Sequence, residues 1–117
     1  MTVEIAHRDD CEPTGGWRLV RRTLGVRSFG INLVDIPPGE QIPEHDETGR
    51  DQEEVFYVLD GEPTLIADGQ EYPLAAGTFV RLDPKHTRTV RNDSNVAASL
   101  LIVSAPRTSG YQPMDWA

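Results

Sequence analysis

Apolar residues along this chain come in short alternating bursts, and no stretch of about eleven or more repeats them at the three-and-four spacing of an amphipathic helix. The pattern predicts short strands over Trp17 to Arg21, Ser28 to Ile36, Glu53 to Leu59, Pro63 to Ala67, Gln70 to Pro73, Thr78 to Leu82, Arg88 to Arg91 and Val96 to Val103. Turn formers separate them: Pro37-Pro38-Gly39, Asp60-Gly61, Asp68-Gly69, Ala76-Gly77, Asp83-Pro84 and Asn92 to Asn95. Turns at such regular intervals predict an all-β sandwich or barrel. Asp68-Gly69 suits a type I′ hairpin, because both residues tolerate positive φ.

Alternation also sorts side chains by face. In Glu53 to Leu59, Glu54, Phe56 and Val58 point one way while Glu53, Val55, Tyr57 and Leu59 point the other. Both faces carry apolar groups, so the strand is expected to be covered on both sides, with Glu54 a carboxylate among apolar neighbours. A slip of one residue would turn Glu53 inward instead. A buried, unpaired carboxylate costs several kcal/mol, so an inward Glu54 requires a proton, a basic group or a metal beside it. His45, ahead of the same strand, is the nearest candidate partner, and Phe56 is the expected apolar wall of a pocket around them.

Composition narrows the partners. Nineteen acidic against eleven basic residues leave a formal net charge of -8, which repels a phosphate backbone and argues against nucleic acid. The run Val96 to Val103 is interrupted by Ser99 and is far shorter than the roughly 20 residues of a membrane-spanning helix. The single cysteine, Cys11, and a start without a basic-then-apolar leader lead to the expectation of a cytoplasmic protein. At 117 residues one domain is expected over 1–117, with a barrel core at about 17–104 and a tail at 105–117. That tail carries Tyr111 and Trp116, which are expected to cover the barrel or to reach a second subunit of a homodimer. Arg18, Arg21 and Arg22 read as an exposed strand face, and the acidic run from Asp46 to Glu54 as a solvated loop without the spacing of a calcium-binding hand.

From Gly39 to Asn92 the chain resembles the cupins, small double-stranded β-helix (jelly-roll) barrels with a metal-centred pocket. Gly39, five residues and His45, then Glu54, six residues and Gly61, match the family's first motif, and EEVFYVLDGE is its most family-like run. Glu47 stands where that motif has a second histidine, and six residues rather than three or four separate it from Glu54. Laid from Gly77, the second motif puts Arg88 at its histidine and Asn92 at its asparagine, with His86 two residues earlier.

The resemblance implies a pocket lined by His45, Glu47, Glu54, His86 and Arg88, and leaves two arrangements open. In one, His45, Glu54 and His86 hold a divalent transition metal (Fe, Mn, Ni or Zn) with Glu47 as a fourth ligand, for dioxygenase, isomerase or lyase chemistry on a small polar molecule. In the other, Arg88 pairs with Glu54 or Glu47, no metal is present, and the barrel is a small-molecule binding module. His86 and Arg88 are the candidate catalytic groups.

Overall fold

The computed structural model describes residues 2–117. Among these residues nine strands follow one another: β1 (Pro13–Thr14), β2 (Trp17–Arg18), β3 (Gly30–Ile36), β4 (Gln52–Asp60), β5 (Thr64–Ala67), β6 (Gln70–Pro73), β7 (Phe79–Leu82), β8 (Arg88–Arg91) and β9 (Ala98–Pro106). They form two antiparallel sheets, one in the order β1-β2-β3-β9-β4-β7 and one in the order β6-β5-β8. The segment after β3 adds to the smaller sheet through single bridges from Gln41 to Arg91 and from His45 to Arg88. The predicted β barrel is present, and the Asp68-Gly69 hairpin has positive φ at both residues (50° and 79°).

One expected strand is corrected. Only Trp17–Arg18 is extended, and Val20–Leu24 is a short helix, α1, stopped by Gly25 at φ 76°. The amides of Gly25 and Val26 both donate to the carbonyl of Arg21, which closes the helix in the manner a left-handed glycine allows. Arg22 therefore lies on a helix rather than on a strand face with Arg18. At the other end, β9 continues through Pro106, two residues beyond the expected core, so the tail begins later than predicted. Tyr111 and Trp116 are largely exposed and do not cover their own barrel. Among the described residues, no helix is long and apolar enough to cross a membrane.

The larger sheet places three rows of inward side chains across β3, β9 and β4. Val34, Leu100 and Val58 form one row, Asn32, Ile102 and Phe56 the next, and Gly30, Ser104 and Glu54 the third. The first row is almost wholly buried and meets Leu65, Val90, Ile42 and Leu74 from the opposite side. Phe56 has no exposed surface, and its burial stabilises the fold by about 1.5–3 kcal/mol. The third row is small and polar. A Cβ at Gly30 would lie 2.5 Å from the Ser104 hydroxyl, so glycine leaves that hydroxyl in place where a larger residue would make it rotate away. The dry core thus ends one row short of the barrel mouth.

Candidate metal centre

Strand alternation turns Glu54 inward with Phe56 and Val58, as its burial pattern shows, and the alternative with Glu53 inside is excluded: Glu53 pairs outside with Arg81. His45 arrives from the smaller sheet. Its amide donates to the Arg88 carbonyl at 3.0 Å, and its carbonyl accepts from the Arg88 amide at 2.8 Å. In such a doubly bonded antiparallel pair both side chains leave the backbone on the same side, which brings imidazole and guanidinium together toward Glu54. Glu47 is held by a turn: its amide donates to the Pro84 carbonyl, and its own carbonyl receives the amide of Gln52.

These placements converge. The His45 Nε2 atom lies 3.2 Å from Glu47 Oε1 and 3.5 Å from Glu54 Oε1, and one donor atom from each residue falls within 4.8 Å of the others. The Nδ1 atom of His45 lies 2.9 Å from the Pro43 carbonyl, which only accepts, so Nδ1 carries the proton. In the neutral ring, Nε2 then presents a lone pair to two carboxylates. That contact is repulsive unless a proton or a cation sits between them. A carbonyl behind the ring is also the usual outer support of a ligating histidine. Two ligands about 2.1 Å from one ion and at roughly right angles are about 3.0 Å apart, so the spacing suits a shared metal.

The surroundings carry the same imbalance. Among the described residues, the buried side-chain polar atoms without a hydrogen bond are Glu54 Oε1, Arg88 Nε and Arg88 Nη1. Arg88 has no exposed surface, donates to the Asp83 carbonyl at 2.8 Å, and stops 3.7 Å short of Glu54. Burial first, and then the charge of Glu47, push the Glu54 carboxyl above the ordinary glutamate value, against the pull of Arg88 and His45. Gln52, which the sequence reading did not single out, donates to the far oxygen of Glu47 at 3.3 Å. Its position at the start of β4, two residues before Glu54 on the same face, was the available signal.

His86 does not join this group, which corrects its expected role as a ligand. Strand β8 starts at Arg88, so alternation does not reach back to residue 86, and the ring instead lies 2.6 Å from Asp68 at the hairpin turn. Asp68 also accepts from the Thr87 amide, and these bonds, that to His86 first, hold its carboxyl below the usual aspartate range. His86 borders a separate cavity of about 520 Å³ whose other walls include Leu65, Leu74, Val80 and Leu82. Asn92, which fits the second motif, is a buried brace: its amide donates to the carbonyls of Ile36 and Val96. The acidic loop divides as well, since Asp46 accepts from Thr48, Asp51 from Arg107 and Glu53 from Arg81.

Above His45, Glu47 and Glu54 opens a cavity of about 390 Å³, walled by Trp17, Phe29, Ile102 and Ser104 and by three arginines, Arg21, Arg27 and Arg50. The donor set therefore has a space beside it in which a small molecule fits.

A family model described as "Cupin domain" matches residues 32–104. The polyketide synthase CurC of Streptomyces cyaneus is 35% identical over 66 residues, which are 55% of this chain and 42% of that protein, so the match spans less than half of this curated relative. A cupin protein from Bacteroides fragilis superposes with a TM-score of 0.76 at 18% identity, over 97% of this chain and 90% of its own. A sugar phosphate isomerase from Silicibacter pomeroyi, described as of a cupin superfamily, gives a TM-score of 0.67 at 23% identity, over 77% of this chain and 59% of its own. At these identities the two structures speak for the fold alone.

Proposed function

The chain belongs to the cupin family, and from that premise we propose that it is a metal-dependent enzyme of oxidoreductase, isomerase or lyase type that acts on a small polar molecule in the cavity above His45. The observation that carries this reading is that His45 Nε2, with the other ring nitrogen held by the Pro43 carbonyl, is directed at oxygens of two carboxylates, an arrangement that a divalent cation satisfies. His45, Glu47 and Glu54 would hold the ion. One imidazole with two carboxylates is a hard, oxygen-rich set, which favours Fe(II) or Mn(II) over Ni(II) and Zn(II). When bound, such an ion supplies Lewis acidity to a substrate oxygen. The protein's own groups do the rest: the Pro43 carbonyl fixes the imidazole tautomer, Gln52 orients Glu47, and Phe56 and Ile102 keep water from the inner side.

The test is metal analysis of untagged protein together with thermal melts with and without chelator. Near-stoichiometric metal, a chelator-sensitive melt, and loss of both on His45→Ala are the expected results, since an ion that binds only the native state raises its stability by mass action. A melt indifferent to chelator and to added Mn(II) or Fe(II) would overturn the reading. A metal-free binding module is the second reading, favoured by the buried Arg88 guanidinium 3.7 Å from Glu54.

A further inference from the structure

Positive charge in this molecule is concentrated where the fold has not neutralised it. The chain has a formal net charge of -8, and Arg8, Arg22, Arg81, Arg88, Arg91 and Arg107 each lie within ion-pair distance of a carboxylate. Among the described residues, Arg18, Arg21, Arg27, Arg50 and Lys85 form no such pair, and three of these five, Arg21, Arg27 and Arg50, stand on the wall of the cavity above His45, Glu47 and Glu54. They come from different parts of the chain: Arg21 from α1, Arg27 from the segment leading into β3, and Arg50 from the turn before β4. No single helical or strand repeat produces this convergence.

Arg88 adds an independent sign. It lies fully buried with Nε 3.7 Å from Glu54 Oε1, and so offsets the charge of one of the two carboxylates. A cavity that holds two carboxylates, one of them offset in this way, and is ringed by three guanidinium groups without a carboxylate partner attracts anions even before a cation enters it. In an otherwise acidic protein, such a region focuses the field and draws negatively charged molecules to one place. Trp17 and the half-exposed Phe29 offer flat apolar surface beside the arginines.

Building on the reading of this cavity as the substrate site, we propose that its substrate is a small organic oxyanion, a carboxylate or phosphate borne on a flat apolar body. The oxyanion is gripped by Arg21, Arg27 and Arg50, the body lies against Trp17 and Phe29, and the far end faces His45, Glu47 and Glu54. Guanidinium forks suit this task because they match the paired oxygens of carboxylate and phosphate.

Phenylacetate, phenyl phosphate and the neutral phenylacetamide serve as probes, titrated into metal-free and Zn(II)-loaded protein, with binding followed by calorimetry and by the indole NMR signal of Trp17. At least one anion should bind in both forms about 10-fold more tightly than the amide, and should weaken as salt rises. Arg27→Gln and Arg50→Gln should each weaken the anion by about 5- to 10-fold and leave the amide unchanged, as expected for loss of a charge-assisted hydrogen bond. The tighter of the two anions identifies the headgroup. Equal binding of anion and amide, or anion affinity indifferent to both substitutions, would overturn the proposal; both arginines are exposed, so their variants should melt like the parent. Co(II) binding, read by visible absorption in the same variants, separates the two ideas. If the parent takes up no Co(II) while anions still depend on Arg27 and Arg50, the metal reading fails and this one stands. Retained Co(II) with no anion selectivity gives the reverse.

Discussion

Val34, Leu100 and Val58 cross the inside of the larger sheet as a dry, closed row, whereas Gly30, Ser104 and Glu54, four residues along the same three strands, form an open and charged one. The backbone ladder is the same in both places, and so is the face. Side-chain identity alone separates them, with Phe56 and Ile102 as the partition between. Fold stability is concentrated on one side of that partition and the charged groups on the other, so the two should respond differently to mutation.

Phe56→Ala should show the largest effect. Removing a fully buried ring from the partition should cost about 3–5 kcal/mol in urea unfolding, and a loss below about 1 kcal/mol would mean that the partition does not support the core. Two residues away on the same face, Glu54→Gln should behave in the opposite way. Burial and Glu47 already make ionised Glu54 costly, so the neutral isostere should destabilise chelator-treated protein by only about 1–2 kcal/mol, the part due to the buried Arg88 losing its partner, while abolishing stabilisation by added Mn(II). A Glu54→Gln variant that unfolds as readily as Phe56→Ala would erase the contrast.

The smallest effect concerns the outer face, where Asp35 takes two hydrogen bonds from Arg8 and one from the Ser99 hydroxyl. Burial works to raise the Asp35 carboxyl, but its bonds to Ser99 and Arg8 outweigh it and leave the group below the ordinary aspartate value. A depressed acid stabilises the fold above its unfolded pKa, and that stability disappears as pH falls through the folded value. Asp35→Asn should therefore cost about 1 kcal/mol near neutrality, in keeping with a partly exposed paired charge. The gap from the parent should close in urea titrations as pH falls below the ordinary aspartate range. A gap that persists unchanged at low pH would show that the carboxylate charge is not its source.

Much of the dry region was legible in the residues, because a period of two has only one physical reading once its ends are marked by turns. Glu54, Phe56 and Val58 share the inner face as alternation required, and Asp68-Gly69 closes its hairpin. The short helix at Val20–Leu24 was not legible, since five residues are too few for a 3.6-residue period to stand out from alternation. The charged region was legible only in part. Glu54 and its family-like spacing could be read along a strand, and His45 by its distance from Gly39. Whether His86 or Arg88 faced the group depended on where β8 begins, and a boundary of two residues lies beyond what pattern resolves. Arg27 and Arg50 come together through loops, where no periodicity applies, whereas Gln52 stands on β4 in step with Glu54 and was open to the same alternation.

His45 and Arg88, tied back to back through their main chains, approach the same glutamate from adjoining positions. The charge of Glu54 thus has two independent sources of compensation, one that an incoming ion recruits through the imidazole and one built permanently into the smaller sheet. Redundancy of this kind would let the barrel lose a cation without leaving a bare anion against its own interior.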